Sequence, residues 1–145
     1  MENRVDKLIK ILVGSLLLRV GAGAKVKRIL KGLEGVGGLW KLLKFVLDNE
    51  EIVEPAELIE KMPPEIQEVA KEIYMLTDEV ETDEKNILEI ALQLAREMIK
   101  EQRAELSKKR QLAEEKGEIE KEMEITMSLR DLDAKENKLF SLDFA

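Results

Sequence analysis

Neither cysteine nor histidine occurs in the 145 residues of this chain, and the two absences together remove most catalytic chemistry. Disulfides, thiolate nucleophiles, imidazole bases and the usual zinc ligands are all missing. A diiron carboxylate site is also excluded, because it needs Glu-x-x-His on facing helices. No catalytic residue, metal site or cofactor is therefore expected. The lack of cysteine is compatible with a reducing compartment, and the chain reads as cytoplasmic. Aromatic residues are scarce, with one Trp, one Tyr and three Phe, and there are only three prolines. Strand signals are absent. No apolar run reaches the ~20 residues needed to cross a bilayer; the stretch from Leu8 to Val20 is broken by Lys10 and Arg19. The segment before it contains Glu2 and Asp6, unlike the cationic start of a signal peptide. Neither export nor a membrane anchor is expected.

What the chain has in abundance is charge. Charged residues make up 38% and apolar residues 44%, a balance that fits an all-helical protein rather than a disordered one. Its length suffices for one domain, or a domain with an appendage, that buries a core of its own. Residues 1 to 47 carry ten Lys or Arg against three acids, and the rest carries fourteen against twenty-eight. Such asymmetry can mark a weak nucleic-acid contact through Lys25, Lys27, Arg28 and Lys31, with Lys41 and Lys44 nearby. The plainer reading is that these lysines solvate the outer faces of amphipathic helices. No aromatic residue interleaves with Lys25 to Lys31 to stack on bases, which favours solvation.

Helical periodicity runs through the whole chain, and its longest stretch, Thr82 to Gly117, corresponds to about 50 Å of helix. Its first half carries a continuous apolar stripe of Ile87, Ile90, Ala91, Leu94, Ala95, Met98 and Ile99. Beyond Lys100 only Ala104, Leu106, Leu112 and Ala113 interrupt the charged and amide side chains, so one half is read as buried and the other as projecting. Thr82 or Asp83 caps the start, and Lys116 and Gly117 mark the stop. Upstream, Val5, Leu8, Ile9, Leu12, Leu16 and Leu17 form one face of a first helix, and further helices follow at 24–32, 39–48, 54–62 and 63–77. The pair Glu57 and Lys61 is spaced to meet on the fourth of these. Glycines from Gly32 to Gly38 lack the strand context and the spacing of a nucleotide-binding loop, and are read as turns and close helix packing. The expected fold is all-α: a bundle of about six helices at 1–99, with a long connecting helix leading into a C-terminal helical hairpin at 100–145.

The last segment restarts as a helix directly after Gly117, which demands an antiparallel hairpin. At 100° per residue, Ile119, Met123, Thr126 and Met127 share one face, and Ile125, Leu129, Leu132, Leu139 and Phe140 share another. One partner helix cannot cover both. Ile119, Met123 and Met127 are expected to satisfy Leu112 and Ala113 across the turn. The other face then either folds back onto the bundle, or kinks near Asp131, or stays open for another protein. The acids from Glu114 to Glu124 form no convergent ligand set and are read as a solvated surface.

The order of features resembles the C-terminal helicase-binding domain of the bacterial replicative primase. The resemblance covers nearly the whole chain: a bundle opening with LIKILVGSLLL, a central GGLWKLLKFVLDNE helix, a short EPAELIEKM helix, and ILEIALQLAREMIKEQRAELSKKRQLAEEKG leading into a terminal hairpin. It implies a non-catalytic docking module, with a globular subdomain that modulates the replicative helicase and a hairpin that supplies most of the grip on its N-terminal domain. Apolar anchors at helical spacing carry most of the energy in such recognition, and the expected partner-binding residues are Ile125, Leu129, Leu132, Leu139 and Phe140. The N-terminal domain of the replicative helicase itself is similar in fold, with VGSLLL resembling its opening helix, and is the nearest competitor. Readings of a different class are a helical nucleic-acid-binding module using the basic first third, and a homo-oligomer that pairs its hairpins.

Overall fold

Helix α1 (Arg4–Leu18) begins where Asn3 caps it: the Asn3 Oδ1 accepts the backbone N–H of Asp6 at 2.8 Å, satisfying one of the donors that a helix start leaves free. Leu8, Ile9, Leu12, Val13, Leu16 and Leu17 then recur on its buried side. Ser15 is fully buried with them, but its hydroxyl donates to the Ile11 carbonyl at 2.9 Å and is thereby satisfied. A computed structural model describes residues 2–18, 20–76 and 83–140, and among these every element is helical, with no strand. After a 3₁₀ turn at Val20–Ala22 come α2 (Gly23–Leu30), α3 (Gly37–Asp48), α4 (Pro55–Glu60), α5 (Pro64–Met75), α6 (Glu84–Glu115) and α7 (Ile119–Phe140). None of the described helices is long and apolar enough to cross a membrane.

The chain divides into two compact units, Met1–Ala95 and Arg96–Ala145, against the 1–99 and 100–145 expected from sequence. In the N-terminal unit α3 is the hub. It packs on α1, α2 and α5, while α5 also meets α1 and α4. Leu42 and Leu43 on α3 and Leu12 and Val13 on α1 have no exposed surface, and burying a side chain of this size contributes about 1.5–3 kcal/mol. Prolines stand at the first positions of α4 and α5, where a missing N–H costs nothing. The Gln67 side chain donates to the Ile59 carbonyl at 3.0 Å and so ties α5 to the end of α4. The expected Glu57–Lys61 pair forms at 3.3 Å, although an exposed pair of this spacing contributes only about 0.3–0.5 kcal/mol.

The glycine-rich connection between α2 and α3 acts as a turn and as a close-packing surface. Gly32 and Gly37 both take positive φ. Gly35 lies so close to the buried indole of Trp40 that a Cβ there would fall 2.5 Å from Cδ2. Leu76 is exposed because α5 ends at Met75 and the chain leaves the helical path at that point.

Asp83 caps α6, its Oδ1 accepting the Lys85 N–H at 3.1 Å; Thr82, the other expected cap, lies outside the described residues. The end of α6 is fixed by Gly117, at φ 71°. The Glu118 N–H reaches back to the Ala113 carbonyl at 2.9 Å and the Gly117 N–H to that of Glu114 at 3.2 Å, the paired bonds of a Schellman ending. Nothing lies within 4 Å of a Cβ placed at Gly117, so a substitution there meets only the backbone cost of a left-handed residue. Gly117→Ala is expected to lower stability by about 1–2 kcal/mol, read as a drop in the urea midpoint with an unchanged slope.

Candidate functional site

The C-terminal unit is an antiparallel pair made by the distal part of α6 and by α7. Its register is set by Arg103, whose guanidinium bonds Asp133 Oδ1 at 2.8 Å and Glu136 Oε1 at 3.3 Å. The hydrogen bond to Asp133, reinforced by Glu136 and opposed by partial desolvation, holds the Arg103 pKa above its ordinary value. The group is about a third exposed, so the pair is worth at most about 1 kcal/mol, and its main effect is to select one alignment of the helices. On α7, Ile125 (7% exposed), Leu132 (8%) and Leu139 (6%) are buried, and Glu122 before them and Leu129 and Glu136 between them are half-buried. These positions alternate at three- and four-residue steps. On α6, Ile99, Arg103, Leu106, Arg110 and Ala113 repeat the same spacing, with Arg110 exposed, which is the spacing of a two-helix coiled-coil seam.

This corrects the expected exposure of the two faces. Ile125, Leu132 and Leu139 are turned away from solvent and Leu129 partly so; the side chain of Phe140 lies outside the described residues. The open face is the other one. Ile119 (69%), Met123 (63%) and Met127 (65%) are exposed along α7, and Leu112, one turn before Gly117, is exposed as well. The expected cover of this stripe by Leu112 and Ala113 does not form, for Ala113 sits in the seam with the opposite face of α7. A four-residue step advances only about 40° around a helix, so these three side chains make one continuous apolar ridge.

Acids predominate around the ridge, while Arg130 stands on its face just beyond Met127. Glu120, Glu124 and Asp131 flank one edge and Glu122 the other, with Lys121 held by Glu118 at 3.6 Å. A shallow depression lined by Glu118, Ile119, Glu120, Lys121 and Glu124 opens at the start of α7. The hydroxyls of Thr126 and Ser128 bond back to the carbonyls of Glu122 and Glu124, so neither seeks an outside partner. Among the described residues no group of three or more acids is placed to hold a metal ion.

No protein-family model, curated protein or solved structure matches the chain. The candidate site therefore rests on geometry alone. Of the four cations singled out in the first third, Lys25 pairs with Glu84 at 3.3 Å and Lys27 with Asp48 at 3.2 Å, while Arg28 and Lys31 are exposed at the end of α2 and the start of the loop after it. The exposed ridge was visible in the sequence as a face. Its openness followed only from the three-and-four spacing of the opposite face, which includes the charged positions Arg103, Arg110 and Glu136.

Proposed function

We propose that this chain is a non-catalytic docking module of the bacterial replicative primase type, whose C-terminal unit holds the N-terminal domain of the replicative helicase in the cytoplasm and couples priming to unwinding. The observation that carries this reading is the exposed ridge of Ile119, Met123 and Met127 on a helical hairpin. Isolated apolar side chains are common on surfaces, but a contiguous ridge on a helix marks a surface that a partner covers. Methionine suits the task, since its unbranched and polarizable chain adapts to a facing groove. The acidic flanks add a requirement: the facing surface carries positive charge around an apolar centre. The anchors of this reading are thus Ile119, Met123 and Met127, in place of Ile125, Leu129, Leu132 and Leu139.

The test is calorimetry or pull-down with the helicase N-terminal domain. Met123→Asp with Met127→Asp is expected to leave the thermal midpoint within a degree or two, because both positions are exposed, and to weaken helicase binding by about 100-fold, the loss of two anchor side chains. Sedimentation of the parent chain alone checks the competing use of the same ridge. If the ridge pairs with a second copy, the parent sediments as a dimer and the double variant as a monomer, and helicase binding is unchanged between them.

A further inference from the structure

The methionines among the described residues fall into two classes. Met62 and Met98 are buried, at 4% and 3% exposure, whereas Met75, Met123 and Met127 hold their thioethers in solvent. Met75 ends α5 in the N-terminal unit. Met123 and Met127 lie one helical turn apart on the ridge of α7. A thioether reacts with a peroxide without help from a metal, and this chain has no cysteine to compete for the oxidant. The sulfur attacks one peroxide oxygen, the O–O bond breaks as the S–O bond forms, and the sulfur gives up two electrons. The leaving hydroxide collects the proton of the transferred oxygen and departs as water. An apolar side chain thereby becomes a polar sulfoxide. Reduction by two thiols returns the sulfide, releasing the oxygen as water and joining the thiols as a disulfide.

In the free chain a sulfoxide at either position is hydrated, and the seam on the opposite side of α7, held by Ile125, Leu132 and Leu139, is untouched. Beneath a partner the same oxygen loses its water and needs a donor. One turn from Met123 stand Ile119, Glu120, Thr126 and Met127. The Glu120 carboxylate only accepts, and the Thr126 hydroxyl already donates to the Glu122 carbonyl. Met127 differs, because Arg130 follows it by three residues on the same face and carries N–H donors for a sulfoxide there. We propose that Met123 and Met127 form a peroxide-modified site whose oxidation releases the docking partner, with Met123 the dominant position. This rests on the ridge being the docking surface. The coupling runs both ways, since a bound partner also shields the two sulfurs from the oxidant.

The full chain is treated with hydrogen peroxide, the excess is destroyed, and the product is mixed with the helicase N-terminal domain. Trypsin places Met123 and Met127 together in residues 122–130, apart from the fragments that hold Met62, Met75 and Met98. Mass spectrometry is expected to show residues 122–130 gaining oxygen well before the fragments of Met62 and Met98, at an unchanged melting midpoint, and more slowly when the helicase domain is bound. Oxidation is expected to weaken binding by about 10-fold or more, the loss from burying a polar group without a partner, and methionine sulfoxide reductase with dithiothreitol restores it. Each variant is compared with itself before and after peroxide. Met127→Leu, which leaves Met123 to be oxidised, is expected to lose more affinity than Met123→Leu, and the double leucine variant to lose none, although Met75 is still oxidised. The proposal is overturned if residues 122–130 oxidise no faster than Met98, if the oxidised parent binds as the untreated one does, or if the double variant loses affinity as the parent does. Equal losses in the two single variants overturn the dominance of Met123. An untreated parent that does not bind the helicase domain overturns the docking reading itself, whereas binding that survives oxidation overturns this proposal alone.

Discussion

Leu132→Asp is expected to unfold the C-terminal unit. Leu132 is 8% exposed at the middle of the α7 seam, and an aspartate there would have to bury a carboxylate among apolar side chains. The neighbouring cation, Arg103, is already engaged by Asp133 and Glu136, so the new charge would add repulsion instead of finding a partner. An unpaired buried charge of this kind costs about 3–5 kcal/mol, more than a two-helix seam with charged positions in it can absorb. Loss of the helical signal of α7 and the distal part of α6 in circular dichroism, with fast amide exchange beyond residue 100, is the expected outcome. Met127→Asp is the control, since that position is exposed and a surface change costs within about 0.5 kcal/mol. If Leu132→Asp melts as the parent does, the seam is not where α7 buries its surface.

Leu43→Ala addresses the other unit and is expected to cost about 3–5 kcal/mol, the range for emptying a fully buried leucine site. Leu43 has no exposed surface and sits on α3, which packs against α1, α2 and α5. Three flanking helices held by their own contacts cannot all collapse onto the vacated volume, so most of the cavity remains. For a chain of this length each kcal/mol corresponds to about 2–4 °C, and the fall in midpoint should be about 10 °C. Leu18→Ala, at a position of α1 that is 43% exposed, is expected to lower it by only a few degrees. Equal effects of the two changes would remove α3 from the centre of the core.

The helices were legible because each carries the apolar period that burial requires, and because stops such as Gly117 and the prolines at 55 and 64 act locally. The Glu57–Lys61 pair was legible for the same reason, being four residues apart on one helix. The orientation of α7 was not. Sorting its residues at 100° each separated the two apolar faces correctly, but both look alike to a count of hydrophobic side chains. What distinguishes them is the match of Ile125, Leu129, Leu132, Glu136 and Leu139 to Ile99, Arg103, Leu106, Arg110 and Ala113 at the same three-and-four steps. Charged residues at Arg103, Arg110 and Glu136 interrupt that pattern for any scale of hydrophobicity, although at Arg103 and Glu136 they fill it with an ion pair. The cavity that Trp40 lines between α2 and α3 was out of reach for another reason. Its cations come from α2, the loop and α3, and of these only Lys44 lies near Trp40 in sequence, one turn away on α3. Only the packing of α2 on α3 brings Arg28 and Lys31 to the indole.

The left-handed Gly117 also has a kinetic meaning. Contacts across the hairpin close loops that lengthen steadily away from this residue, from the five-residue separation of Ala113 and Glu118 to the thirty of Arg103 and Asp133. Loop closure costs grow only slowly with length, about 0.6 kcal/mol per doubling, and single turns of helix form in well under a microsecond. The cheapest route to the paired helices therefore starts at the turn and zips outward. On this route Gly117 acts before any seam leucine does: a substitution there slows folding, whereas a truncated seam leucine mainly hastens unfolding.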